Sequence, residues 1–340
     1  MHPIKTKLTE LLGITTPIMS APMGYPWSAD LACAVTKAGG FGMTGAAFDT
    51  SETIRQTLGR VRTALGVPAG KVLPVGLGLI GWVLDQTEVS EDPRIPAVLD
   101  ERPKVIYFAF GDDLGRHVRA VRAHEKDSAH RTLVGVCVNT PEDAVRAANE
   151  WKVDIIVAQG MEAGGHSSKH APPVSILVSA ILDAAPDGPP VVAAGGIATG
   201  AQAAALLTLG AAGVVLGTRL LFTKECGYTP AQKAAIRDAG LASTAHSACF
   251  DEVMGFTQWP QGVIGHAIAN GIRTDELEGL PVEERKRRYD EAVKRDDPDR
   301  VVVWAGRAVG LTKEVKPAAD VIAMLHEDAV RSLQKAKSLL

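Results

Sequence analysis

The chain has 340 residues, 46% hydrophobic and 22% charged, with 36 basic side chains against 39 acidic and a formal net charge of −3. These figures exclude a disordered, collagenous or coiled-coil protein, and the even charge balance argues against a nucleic-acid partner. Glycine is in surplus at 34 residues, against a typical ~7% of a chain, while aromatic residues make up only 5%.

The first segment, Met1 to Gly13, carries Lys5, Lys7 and Glu10 and lacks the apolar core of a secretory signal, so a cytoplasmic protein is expected. Cys33, Cys137, Cys226 and Cys249 lie far apart with no CxxC pair, which argues against a zinc site or a disulfide framework. No metal is expected. Eight short apolar runs then recur along the chain: Pro17 to Met23, Phe41 to Gly45, Val72 to Leu79, Lys104 to Phe110, Thr132 to Val138, Asp154 to Gln159, Pro190 to Ala194 and Gly213 to Gly217. Most are continuously apolar, as parallel strands buried on both faces are. Between them, helices are expected over Asp30 to Ala38, Thr50 to Leu65, Leu114 to His124, Glu142 to Glu150, Ser175 to Ala184 and Thr199 to Leu209. Several open on capping residues, as in Thr140-Pro-Glu-Asp and Thr199-Gly-Ala-Gln.

Gly188 to Thr218 is a stretch of 31 residues without a charge, long enough to span a membrane. Its prolines and glycines, and its division into two short apolar runs around a helical one, make it strand, helix, strand instead, and no membrane partner is expected. Eight strands alternating with helices predict an α/β fold of the (β/α)8 TIM-barrel type, ahead of a doubly wound sheet. After the eighth strand the alternation stops. Residues 224–300 carry no strong strand signal and include the mixed-charge run Val282 to Arg300, so a smaller, mainly helical lid or subdomain is expected there. Residues 1–223 and 301–340 are assigned to the barrel, the last helix falling within Pro317 to Leu340.

Barrel active sites form where strands end. Strand six runs into Gln159-Gly160-Met161-Glu162-Ala163-Gly164-Gly165-His166, which delivers a histidine beside glycines that let backbone approach a ligand. Strand seven ends in Gly195-Gly196-Ile197-Ala198-Thr199-Gly200 and strand eight in Gly217-Thr218-Arg219, the two places where such barrels hold a phosphate on backbone amides. They point to a phosphate-bearing ligand such as FMN. Strand one ends in Ser20-Ala21-Pro22-Met23-Gly24 and strand three in Gly76-Leu77-Gly78, small residues along which a flat ring can lie.

Together the segments SAPM, PVGLGLIGW, AQGMEAGGH, AAGGIATG, VVLGTR and the late WAGRAVGLTKEVKP resemble the nitronate monooxygenase family, formerly called 2-nitropropane dioxygenases, over nearly the whole chain. The resemblance implies an FMN-dependent TIM-barrel flavoprotein that oxidises nitronates or nitroalkanes with O₂ to a carbonyl compound and nitrite. It implies His166 as the catalytic acid or base. It places Ala21, Pro22 and Met23 against the isoalloxazine, gives Gln159 and Gly164 flavin contacts, and puts Gly195, Gly196, Gly217 and Thr218 at the phosphate. Gly78 and Gly165 complete the expected cofactor set, Trp304 and Arg307 are the candidate substrate contacts, and Trp82, Phe110 and Trp259 are further candidate pocket walls. The chain departs from the pattern at Gly78, where many members carry Asn, at Ser167, where Arg is common, and at Arg307, where Gln is frequent. Two other readings stand beside this one: an NAD(P)H-dependent flavin reductase of the enoyl-acyl-carrier-protein or quinone type, and a non-catalytic barrel that binds a phosphometabolite. The sequence leaves the oligomeric state open, with a homodimer as one candidate.

Overall fold

In the computed structural model, which describes residues 3–25, 27–126 and 130–339, the eight apolar runs form one parallel eight-stranded sheet. The ends of the expected barrel range, 1–2 and 340, lie outside the described residues. In chain order the strands are β1 (Ile18–Ser20), β2 (Met43–Gly45), β3 (Leu73–Ile80), β4 (Pro103–Ala109), β5 (Leu133–Val138), β6 (Ile155–Gln159), β7 (Gly165–Ser168), β8 (Val191–Ala194), β9 (Gly213–Leu216), β10 (Thr244–His246) and β11 (Val263–Ile268). The barrel order is β1-β9-β8-β6-β5-β4-β3-β2. A parallel bridge from Met19 to Phe41, with Phe41 N–H donating to the Ile18 carbonyl at 2.9 Å, closes the circle between β1 and the residues that lead into β2.

The continuous apolarity of the strands follows from burial on two sides. Ile18, Leu77, Ile106, Phe108, Val136, Ile156 and Val214 face the surrounding helices, while their strand neighbours Met19, Tyr107, Cys137, Val157 and Val215 fill the barrel. At the end where strands begin, Leu8 and Leu12 of the helix Lys7–Leu12 join the interior cluster and plug it. The expected caps at Thr140 and Thr199 are in place, the hydroxyl of Thr140 accepting from the Asp143 amide and Thr199 and Gln202 forming a capping box; the hydroxyl of Thr50 likewise accepts from the Thr53 amide. Helix Ala318–Lys337 packs on Gly200–Thr208 and completes the wall. No described helix is long and apolar enough to cross a membrane; the uncharged stretch resolves into β8, a helix and β9.

The excursion after β9 holds the helices Pro230–Asp238, Cys249–Met254, Gly271–Leu277 and Val282–Arg295. It also holds strand structure that its sequence did not signal. β10 and β11 pair antiparallel, and β11 pairs antiparallel with β7, giving a three-stranded sheet in the order β10-β11-β7. His166 therefore sits on a strand, opposite Gly265, rather than in a loop. Residues following 300 run beside this sheet. Val301, Val303, Ala305 and Val309 share a buried cluster with Phe222, Tyr228, Ile236 and Ile268, and Trp304 bridges to Ala267.

Candidate active site

The strand ends open onto a cavity of about 440 Å³, within the ~300–1,000 Å³ of sites that hold a small ligand or cofactor. Ala21, Pro22, Met23, Gly78, Gln159, Gly164, Gly165, His166, Gly195, Gly196, Gly217, Thr218 and Trp304 all line it. Gly78 leaves no room for a side chain: a Cβ there would clash with Pro22 Cβ and stand 2.8 Å from its Cγ. Arg307 is not brought to the cavity. Its amide donates to the Glu162 carbonyl at 3.0 Å, its side chain is exposed, and the lining residues on either side of it are Gly306 and Ala308.

One end of the cavity is built of backbone. Gly195 and Gly196 have φ of +113° and +68°, a left-handed turn that L side chains rarely adopt, and a Cβ on Gly196 would press on Glu162. Gln202 holds this turn from below, donating to the Gly196 carbonyl at 2.7 Å and accepting from the Ala198 amide at 2.9 Å. Across from it, Gly217 leads into the short helix Thr218–Leu221. Among the described residues, no carbonyl or side chain accepts the amides of Gly196, Gly217 or Thr218, while that of Gly195 follows the β8–β9 ladder, in which Ala194 pairs with Val215. Half-buried donors converging without a partner are suited to the oxygens of a phosphate monoester. The Thr218 hydroxyl accepts from the Gly306 amide at 2.9 Å, which leaves its own proton to donate. This arrangement suits a phosphate-bearing ligand.

The other end is built of side chains. Asn139 donates to the Gln159 carbonyl at 2.7 Å, and Gln159 Nε2 donates to the His166 carbonyl at 3.2 Å, so strand five's tip fixes strand six's. His166 Nε2 lies 2.8 Å from Asp251 Oδ1, both side chains being mostly buried. Trp259 stacks on the imidazole, ring centres 3.6 Å apart and planes 15° from parallel, while Phe110 and Trp304 approach it at 6.5 and 4.9 Å. Phe110 has a φ of +59°, a strained setting for an aromatic residue, and its carbonyl accepts from the Trp82 amide. Trp82 itself packs behind Trp259 rather than lining the cavity. Phe48 and Phe256 stack at 4.8 Å across the mouth.

Beneath this end, His266 is fully buried; Nδ1–H donates to the Ala163 carbonyl at 2.6 Å, which leaves Nε2 to accept from the Thr244 hydroxyl at 2.9 Å. Burial, and then the neighbouring His246 stacked at 3.7 Å, pull its pKa down to about 4. It is therefore neutral near pH 7 and pins the glycine loop to the excursion's sheet. Asn139 and Asp251 are absent from the site as read from sequence. Asn139 stands at a strand tip and was open to the same reasoning that found Gln159. Asp251 follows an alanine-serine segment 85 residues from its partner, with no local signal.

The sequence profile of the nitronate monooxygenase family matches residues 5–328. A nitronate monooxygenase of Neurospora crassa is 31% identical over 345 aligned positions, covering 94% of this chain and 91% of that protein. Among solved structures, FabK from Thermotoga maritima is similar at a TM-score of 0.79 and 24% identity, over 99% of this chain and 100% of that one. A nitroalkane oxidase from Streptomyces ansochromogenes is similar at 0.77 and 24%, over 97% of this chain and 100% of that one. At these identities the two structures speak for the fold.

Proposed function

The chain belongs to the nitronate monooxygenase family, a family of flavin-dependent oxidoreductases, and from that premise we propose that it oxidises nitronates, and the nitroalkanes that yield them, with FMN and O₂. The observation that carries the reading is the pairing, in one cavity, of an amide cradle for a phosphate with a histidine at the ring end. FMN, held there, would supply the electron acceptor that no side chain provides and pass electrons to O₂, with a carbonyl compound and nitrite as products. The protein's own part is position and proton transfer. A nitroalkane has an acidic carbon next to the nitro group; His166 takes that proton and leaves the nitronate, the electron-rich anion that is oxidised. Trp259, Phe110 and Trp304 surround the imidazole with apolar surface and keep bulk water from the reacting carbon.

The test is an anaerobic reduction. The protein, loaded with FMN, is mixed separately with propyl nitronate, a neutral nitroalkane, NADH and NADPH. Prompt bleaching of the flavin by the nitronate, and by the nitroalkane in wild type but not in a His166→Asn variant that still binds FMN, supports the reading. Bleaching by a nicotinamide alone would replace it with a flavin reductase. Protein that binds no flavin would make the barrel a phosphometabolite binder.

A further inference from the structure

We propose that Asp251 is the positioning residue of the site: it holds the proton of His166 on Nε2, so that Nδ1 is the atom that takes the proton from substrate. This rests on the reading that His166 handles the proton of a nitroalkane. A carboxylate accepts hydrogen bonds and donates none, so the 2.8 Å contact requires Nε2 to be the donor. In a neutral imidazole the other nitrogen then carries the lone pair, and among the described residues Nδ1 has no hydrogen-bond partner. A histidine without such a partner is free to exchange tautomers and to turn about its ring bond.

The surroundings are shaped for this contact. β7 and β11 place His166 opposite Gly265, where a Cβ would stand 2.7 Å from the Trp304 ring and 3.2 Å from Asp251 Oδ2. A side chain there would push both away from the imidazole. Trp259 lies nearly parallel to the imidazole and holds its plane. The Asp251 side chain is 7% exposed, and the one hydrogen bond it makes among the described residues is to His166. A buried carboxylate without a cation is costly, and the imidazolium formed when His166 takes a proton supplies one.

The step conserves charge and atoms. The C–H bond of the nitroalkane breaks, its proton goes to Nδ1, and its electron pair becomes the carbon–nitrogen double bond of the nitronate. A neutral substrate beside a dyad of charge −1 becomes an anion beside a dyad of charge 0. A nitronate supplied from outside skips this step, so Asp251 matters to one substrate and far less to the other.

Two measurements on the FMN-loaded enzyme test the proposal. The first is nitrogen-15 NMR of the histidine side chains over a pH series in wild type, Asp251→Asn and Asp251→Ala, with His166 identified by its loss in His166→Asn. It is expected to show the neutral ring of His166 protonated on Nε2 in wild type, and protonation shifted toward Nδ1 or shared in the variants. The second is steady-state turnover. Asp251→Asn is expected to lower kcat for a neutral nitroalkane about 10²-fold, the usual contribution of a positioned acid or base, with nitronate turnover within about threefold and FMN affinity unchanged. A wild-type ring protonated on Nδ1 overturns the proposal, and so does a variant that loses nitroalkane and nitronate turnover by the same factor. The NMR result needs no turnover at all. A wild-type enzyme inert toward both substrates would sink the functional reading while the tautomer still reported on Asp251.

Discussion

Acidification should act on His266 and, through it, on the glycine loop. With a pKa near 4 in the folded protein and ~6.5 in an unfolded chain, this histidine binds a proton in the unfolded state first. Between those values unfolding takes up a proton, so its contribution to stability is complete above pH ~6.5 and drains away as the pH falls toward 4. Each unit is worth about 1.4 kcal/mol, so at pH 5 the loss is up to about 2 kcal/mol, or a few degrees in Tm for a chain of this size. His246, whose pKa is also lowered, by burial and then by Arg307, loses stability in the same direction. The control is His266→Gln, which can still donate to the Ala163 carbonyl and accept from Thr244 but does not titrate. Urea unfolding of both proteins at pH 7.5 and pH 5 gives two differences; wild type should lose up to about 2 kcal/mol more than the variant. FMN fluorescence should rise in parallel as the loop lets go. Equal losses in the two proteins would refute the assignment of His266 as a buried neutral group.

Three further outcomes follow from the packing. Gly78→Ala places a methyl against Pro22 Cβ, 2.8 Å from its Cγ, and should cost about 1–3 kcal/mol in chemical unfolding; a neutral result would mean that the first strand's tip yields freely. Thr218→Val removes the acceptor of the Gly306 amide and should cost about 1–3 kcal/mol, while also weakening FMN binding in a fluorescence titration; unchanged affinity would take the hydroxyl away from the phosphate. Arg307→Ala should leave kcat/KM within about twofold, because its side chain is exposed and its backbone amide holds Glu162; a tenfold loss would restore it as a substrate contact.

The barrel was readable because its chemistry is repetitive. Strands such as Leu133–Val138 and Val191–Ala194 are buried on both faces and so leave unbroken apolar runs, and threonines 50, 140 and 199 mark helix starts by a local hydrogen bond. Gly195 and Gly196 were readable because they answer a local demand of backbone, a turn with φ of +113° and +68°, whereas Gly78 and Gly164 answer distant partners, Pro22 and the segment Ala305 to Gly306. What was hidden depends on long-range pairing. Val263–Ile268 is a short run broken by Gly265 and His266, both of which make sense only against Trp304 and Ala163. The dense charges of Val282–Arg295 drew attention to helix in the same region. Asp251 looks like any acidic residue in a helix's first turn until the fold sets it beside His166. Arg307 was misplaced because the sequence places its backbone near the site but cannot say to which side the side chain turns.

β7 belongs to the loop that leaves the barrel and is also the edge strand of the excursion's sheet. An excursion tied in this way cannot swing off the mouth without breaking a ladder of backbone hydrogen bonds and carrying the imidazole with it. At the rim, by contrast, Phe48 and Phe256 stack on each other and are both exposed, so they can turn without disturbing that ladder. Rotamer changes of exposed side chains take picoseconds to nanoseconds, where domain opening takes microseconds to milliseconds. Rim adjustments of this kind leave the contact between His166 and Asp251 in place.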